Sequence, residues 1–155
     1  MKKISSVIFD IGNVLFTCNK SFDKNGVPQV EFIPIEEGIA LLQECAKNSE
    51  KGAPLVVACT NLKNYELKAL NHSHPHIMGL FAGIVSPDNA LARKPDLKIF
   101  HYLLDTYMLN PHEALFLDDD SNNIEAAQNL GLNGICVRDF AQVKDLLLLY
   151  ELAAR

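Results

Sequence analysis

A chain of 155 residues has the size of one domain built around one core. With 48% hydrophobic residues, 21% charged residues and a net charge of -5, it has an ordinary globular balance and lacks the basic surface a nucleic acid would select. No apolar run approaches the roughly 20 residues that cross a bilayer. Four scattered cysteines, Cys18, Cys45, Cys59 and Cys136, form no CxxC pair, which points to reduced thiols and a cytoplasmic location.

Ile4 to Phe9 reads as a first strand, apolar on both faces, and not as a signal peptide. It stops at one carboxylate, Asp10, followed by Gly12 and Asn13. Asn25-Gly26 marks a hairpin between Val14–Cys18 and Val30–Ile33, so residues 17–34 are expected to form a small flap. Pro34 and an acidic first turn open a helix over 35–47. Leu55–Cys59 is a second buried strand ending in Thr60-Asn61, followed by a helix over 63–71. His72, His74 and His76 then alternate around Pro75 in what reads as a loop. Residues 82–86 form a weak third strand, and Asp96–Met108 carries a helical pattern. Ala114–Leu117 is a fourth strand ending in Asp118-Asp119-Asp120, followed by a helix over 123–130 that Gly131 closes. Gly134–Val137 is a fifth strand, and Phe140–Leu152 a last helix with a leucine run at 146–149. Alternating strands and helices predict an α/β fold, a parallel sheet covered on both faces, within a single domain over 1–155.

The polar residues gather at one place in this scheme. Asp10, Thr60 and Asp118-Asp119 each stand at the carboxyl end of a predicted parallel strand, the edge where open α/β sheets bind ligands. Carboxylates converging there repel one another unless a cation lies between them, and Mg²⁺ suits oxygen ligands beside a phosphate. Thr60 offers a hydroxyl, Asn61 an amide and Lys94 a charge to phosphate oxygens, with Arg93 next in rank. The histidine trio invites a metal reading, but Pro75 and a missing fourth ligand favour a solvated loop. Asp120 is expected to cap the helix that follows it.

The segments FDIGNVLF at 9–16, CTN at 59–61, ARKPDLKIF at 92–100 and LFLDDDSNNIEAAQNLGL at 115–132 resemble the motifs of the haloacid dehalogenase superfamily, most closely its phosphatase-type hydrolases with a minimal cap. The resemblance implies a Rossmann-like three-layer sandwich with strand order 5-4-1-2-3. It implies an enzyme, a Mg²⁺-dependent phosphohydrolase of phosphomonoesterase or acyl phosphatase type, acting on a phosphorylated substrate. Asp10 would be the catalytic nucleophile, carrying an aspartyl-phosphate. Lys94 would neutralise it and bind phosphate together with Thr60 and Asn61. Asp10, the Gly12 carbonyl, Asp118 and Asp119 would hold Mg²⁺.

Two departures from the family pattern stand out. Gly12 replaces the Asp that usually serves as general acid and base, help worth about 10² to 10⁴-fold. This favours acidic leaving groups such as acyl phosphates, and makes a catalytically weak or inactive regulatory phosphate-binding domain the alternative reading. Asp23 or Asp120 is a candidate substitute. The second departure is the flap at 17–34 in place of a cap domain. An open site admits a small or macromolecular phosphoester, or a second copy of the chain that closes it. A phosphate-accepting receiver domain uses similar residues, but in another order along the chain.

Overall fold

A computed structural model describes residues 3–152. Seven strands occur among them: β1 (Ser6–Phe9), β2 (Phe16–Phe22), β3 (Pro28–Pro34), β4 (Leu55–Cys59), β5 (Gly83–Val85), β6 (Ala114–Asp118) and β7 (Asn133–Cys136). Five of them form one parallel sheet in the order β5-β4-β1-β6-β7, while β2 and β3 pair only with each other. Counted within the sheet alone, the strands run 5-4-1-2-3 from the β7 edge. The helices are α1 (Glu36–Ser49), α2 (Asn64–Ser73), α3 (Pro75–Met78), α4 (Pro87–Ala90), α5 (Leu97–Thr106), α6 (Ser121–Asn129) and α7 (Phe140–Leu149), with a 3₁₀ turn over Pro111–Glu113.

Successive side chains of a strand point to opposite faces, and both faces of this sheet are apolar. Val7 and Phe9, Val56 and Ala58, Leu115 and Leu117 share one core with Leu42 and Cys45 of α1 and Val143 and Leu147 of α7. Ile8, Val57, Cys59 and Phe116 share the other with Ile99, Phe100 and Leu103 of α5 and Ala126 and Ala127 of α6. Two helical layers therefore enclose the sheet. The central strands consequently read as unbroken apolar runs rather than alternating ones.

Gly38 sets how closely α1 approaches the site loop. A Cβ at this position would land on the Val14 carbonyl oxygen and would press on the Phe140 ring at 3.2 Å. Helix propensity alone would make Gly38→Ala stabilising by about 1 kcal/mol. Displacing a packed backbone costs about 1–3 kcal/mol, so the variant should unfold at lower urea than the parent. A raised midpoint would show that α1 retreats freely.

Two sequence expectations change. The histidine trio is not an extended loop. His72 lies in the last turn of α2, His74 ends that helix, and Pro75 opens α3. Proline at a first helical position restarts the helix and does not leave a loop. The His74 ring accepts or donates at 2.8 Å to Ser73 Oγ and packs 4.9 Å from the Phe16 ring. The trio thus shares no face on which to hold a metal. The last helix ends at Leu149, because Glu151 takes a left-handed φ of 59° and Leu152 folds back against α1. There Leu152 is buried, and its carbonyl accepts the Asn48 side-chain N–H at 2.9 Å. The segment between β5 and Lys94 also contains the single turn α4, which the sequence reading did not place. No helix among the described residues is long and apolar enough to cross a membrane.

Candidate active site

Strand register brings the site together. Phe9 lies beside Ala58 on one side and Leu117 on the other, so Asp10 comes level with Cys59 and Asp118. Strands later in the chain than β1 lie on both sides of it, and the order reverses between β1 and β6. That is the crevice where α/β sheets receive ligands. The chain leaves β1 in a tight turn, with Leu15 N–H donating to the Ile11 carbonyl at 2.9 Å and Asn13 at φ 59°. Asparagine tolerates this left-handed conformation better than most residues. The turn launches β2 directly.

Lys94 is the hub. Its ammonium is 2.6 Å from Asp118 Oδ2, 2.9 Å from Asp10 Oδ1, and donates to the Cys59 carbonyl at 2.8 Å. It also sits 5.4 Å from the centre of the Phe116 ring. Its side chain is 1% exposed. Burial disfavours its charge, but the Asp10 and Asp118 carboxylates outweigh this and hold it protonated above the ordinary lysine range. Asn61 positions it. The Asn61 side chain accepts the Lys94 backbone N–H at 2.8 Å and donates to the Lys94 carbonyl at 2.9 Å. This side chain, expected to offer its amide to phosphate, lines the cleft and also binds the loop that carries the lysine.

Asp10 is held by one oxygen. Oδ1 accepts the Ile11 N–H at 2.8 Å and the Lys94 ammonium, whereas Oδ2 has no hydrogen bond to the described residues. Burial pushes the carboxyl up to about 7; Lys94 opposes the shift and Asp118 adds to it. Asp118 is completely buried and nearly saturated. Its Oδ1 accepts the Asp120 N–H at 2.9 Å, and Oδ2 accepts Lys94 and the Asn123 side chain at 3.1 Å. Asp119 is the half-buried carboxylate that lines the cleft. Thr60 is buried, and its hydroxyl accepts the Leu62 N–H at 3.1 Å, which leaves its own proton to donate into the cleft. The cleft measures about 320 Å³.

One oxygen from each of Asp10, Asp118 and Asp119 falls within 4.8 Å of the others. Three carboxylates against one ammonium leave a surplus of negative charge, and every donor is oxygen. That set suits a hard divalent cation. Gly12 lines the same cleft.

Both candidate substitute acids are engaged through one oxygen. Asp23 sits in the hairpin turn, where Oδ1 accepts the N–H groups of Asn25 and Val27. Asp120 lines the cleft but caps α6, accepting the Asn122 N–H at 2.8 Å. Sequence reading assigned no role to Asn123, Lys20 or Glu66, all of which line the cleft. Asn123 had a usable signal, standing one helical turn beyond the acidic cluster. Lys20 and Glu66 had none, being joined only by the fold.

The family model of haloacid dehalogenase-like hydrolases matches residues 7–137. The chain belongs to this family. Among curated proteins, a 48-residue stretch is 42% identical to bifunctional epoxide hydrolase 2 of Rattus norvegicus, covering 31% of the chain and 9% of that protein. A stretch of 84 residues is 31% identical to the sesquiterpene phosphatase astK of Aspergillus oryzae, covering 54% and 42%. Among solved structures, a HAD-superfamily hydrolase of Ehrlichia chaffeensis superposes with a TM-score of 0.74 at 16% identity, over 97% of this chain and 99% of that one. A HAD family enzyme of Bacteroides thetaiotaomicron, solved with magnesium and inorganic phosphate, gives 0.70 at 16%, over 90% and 98%. At those identities the two structures speak for the fold. This family member thus combines the expected α/β sheet with a bare hairpin beside its cleft.

Proposed function

We propose that the chain is a Mg²⁺-dependent phosphohydrolase that carries the phosphoryl group on Asp10. The observation behind this is the asymmetry of Asp10. One oxygen is pinned by Lys94 and the Ile11 amide, and the other is free in a cleft that also holds a hydroxyl. The A. oryzae relative, named a phosphatase, and the magnesium and phosphate bound by the B. thetaiotaomicron enzyme agree with it.

In the first step Asp10 Oδ2 attacks phosphorus. The bond from phosphorus to the leaving oxygen breaks, and its electron pair departs with that oxygen. Lys94 stays in place throughout and offsets charge on Asp10 and on the acyl phosphate. The Thr60 hydroxyl donates to a phosphoryl oxygen. In the second step water attacks phosphorus, the Asp10 carboxylate is restored, and the protons of the water leave with phosphate and solvent. This is positioning and charge neutralisation more than acid-base work. Asp10, Asp119 and the Gly12 carbonyl would hold the Mg²⁺, with Asp118 fixing the lysine behind them. When bound, the cation would neutralise the surplus carboxylate charge and polarise the phosphoryl oxygens. With no acid at position 12, the favoured substrates are those whose leaving oxygen departs readily as an anion, acyl phosphates above all.

Release of phosphate from acetyl phosphate and p-nitrophenyl phosphate tests this reading. Turnover should vanish when Mg²⁺ is chelated, and should fall on the order of 10³-fold or more in Asp10→Asn. Turnover that survives in Asp10→Asn would remove the covalent step.

A further inference from the structure

The hairpin delivers a second cation to the cleft. Phe16, Cys18 and Lys20 occupy alternate positions of β2 and so share one face, of which Phe16 is buried and Cys18 half-buried. Phe16 and Phe32 meet edge-to-face at 6.1 Å within the hairpin, and both are buried in the core shared with α1 and the sheet, which fixes that face against the domain. Lys20 extends it to the cleft, which it lines together with Asp10 and Gly12.

Glu66 holds Lys20 there. The Lys20 ammonium is 2.6 Å from Glu66 Oε1, with the Glu66 side chain 2% exposed and the lysine 60%. Glu66 Oε2 accepts the Lys63 N–H at 2.7 Å, so the first turn of α2 fixes the carboxylate. Burial acts to raise the Glu66 carboxyl, but the Lys20 hydrogen bond and the Lys63 N–H prevail and leave it below its ordinary value. Glu66 therefore has no proton to lend a substrate. It is a positioning residue, and a buried carboxylate is a strong tether for a lysine that would otherwise swing freely. An ammonium has three N–H donors. One goes to Glu66, which leaves two for another acceptor at the cleft that Lys20 lines.

We propose that Lys20 is the leaving-group contact of the site: held by Glu66, it hydrogen-bonds the oxygen that departs from phosphorus and takes over, by charge alone, the stabilisation that a proton donor at position 12 would supply. The inference rests on the phosphohydrolase reading above. The bond from phosphorus to oxygen breaks with both electrons going to the leaving oxygen, which departs as an oxyanion beside Lys20. The lysine keeps its proton, and the oxyanion later takes one from water. A cation placed where negative charge develops acts only as the bond breaks, which raises the rate rather than the affinity.

The test is kcat/KM with Mg²⁺ over aryl phosphates whose phenols run from p-nitrophenol to the more basic p-methoxyphenol. Lys20→Met should lose a few-fold on the first and on the order of 10²-fold on the last, which steepens the dependence on leaving-group basicity. Lys20→Arg should restore most of the loss. Glu66→Gln should steepen the dependence in the same direction, and the double variant should be no worse than Lys20→Met. An equal loss on every ester would mean that the hairpin has merely shifted, and no loss would mean that the lysine is idle; either overturns the inference. Rates that ignore Asp10→Asn, or a parent with no turnover, would overturn the phosphohydrolase reading first and this inference with it.

Discussion

Lys94→Met should destabilise the fold by about 3–5 kcal/mol, the usual cost of stripping the partner from a buried charge, and should abolish turnover. Methionine matches the lysine stem but brings no charge. Asp118, fully buried, and Asp10, 7% exposed, would then face each other with no cation between them. The Cys59 carbonyl would lose its donor as well. The penalty is one of uncompensated charge, so a second substitution should recover part of it. Asp118→Asn keeps the shape and removes one negative charge, and Lys94→Met with Asp118→Asn should be more stable than Lys94→Met alone. Urea unfolding of the parent and the three variants measures this. A loss below about 1 kcal/mol in Lys94→Met would mean that the carboxylates escape the penalty by taking up protons.

Gly12→Asp should gain activity, an uncommon direction for a substitution beside the proposed nucleophile. Gly12 lines the cleft and a Cβ there meets nothing within 4 Å, so the backbone has room to carry a side chain. An acid there can protonate the leaving oxygen and then draw a proton from water, help worth about 10² to 10⁴-fold. The gain should be largest for phenyl or alkyl phosphates and small for acetyl phosphate, whose leaving group needs no proton. It should also erase most of the sensitivity to Lys20→Met, because a protonated leaving group no longer needs a cation beside it. The cost is a further carboxylate near Asp10, Asp118 and Asp119, so the gain should appear at saturating Mg²⁺. A flat response on every ester would show that proton supply to the leaving oxygen does not limit this enzyme.

Much of the site was legible in the chain because strand ends are local features. The apolar run to Phe9 stops at Asp10, the run to Cys59 stops at Thr60, and the run to Leu117 stops at Asp118. A parallel sheet places all such ends along one edge, so the polar residues that end the runs fall together without knowledge of any single contact. The flap was legible for a similar reason, since Asn25-Gly26 sits between two extended segments. The histidine trio reads as a loop because Pro75 interrupts it, whereas in the fold Pro75 opens α3.

The sequence by itself determined the sheet, its polar edge and the residue types gathered there. Only the tertiary structure decided what each of them does. Asn61, which lines the cleft, also grips the backbone of Lys94, 33 residues away. Asp118 and Asp119 are neighbours of one type, yet the strand's pleat buries the first on Lys94 and Asn123 and turns the second towards the cleft. Lys20 and Glu66 meet because the hairpin packs over α2, and no spacing in the chain announces that pair. Which groups lie at an edge follows from local periodicity, but which hydrogen bonds they have already spent follows from packing between distant segments.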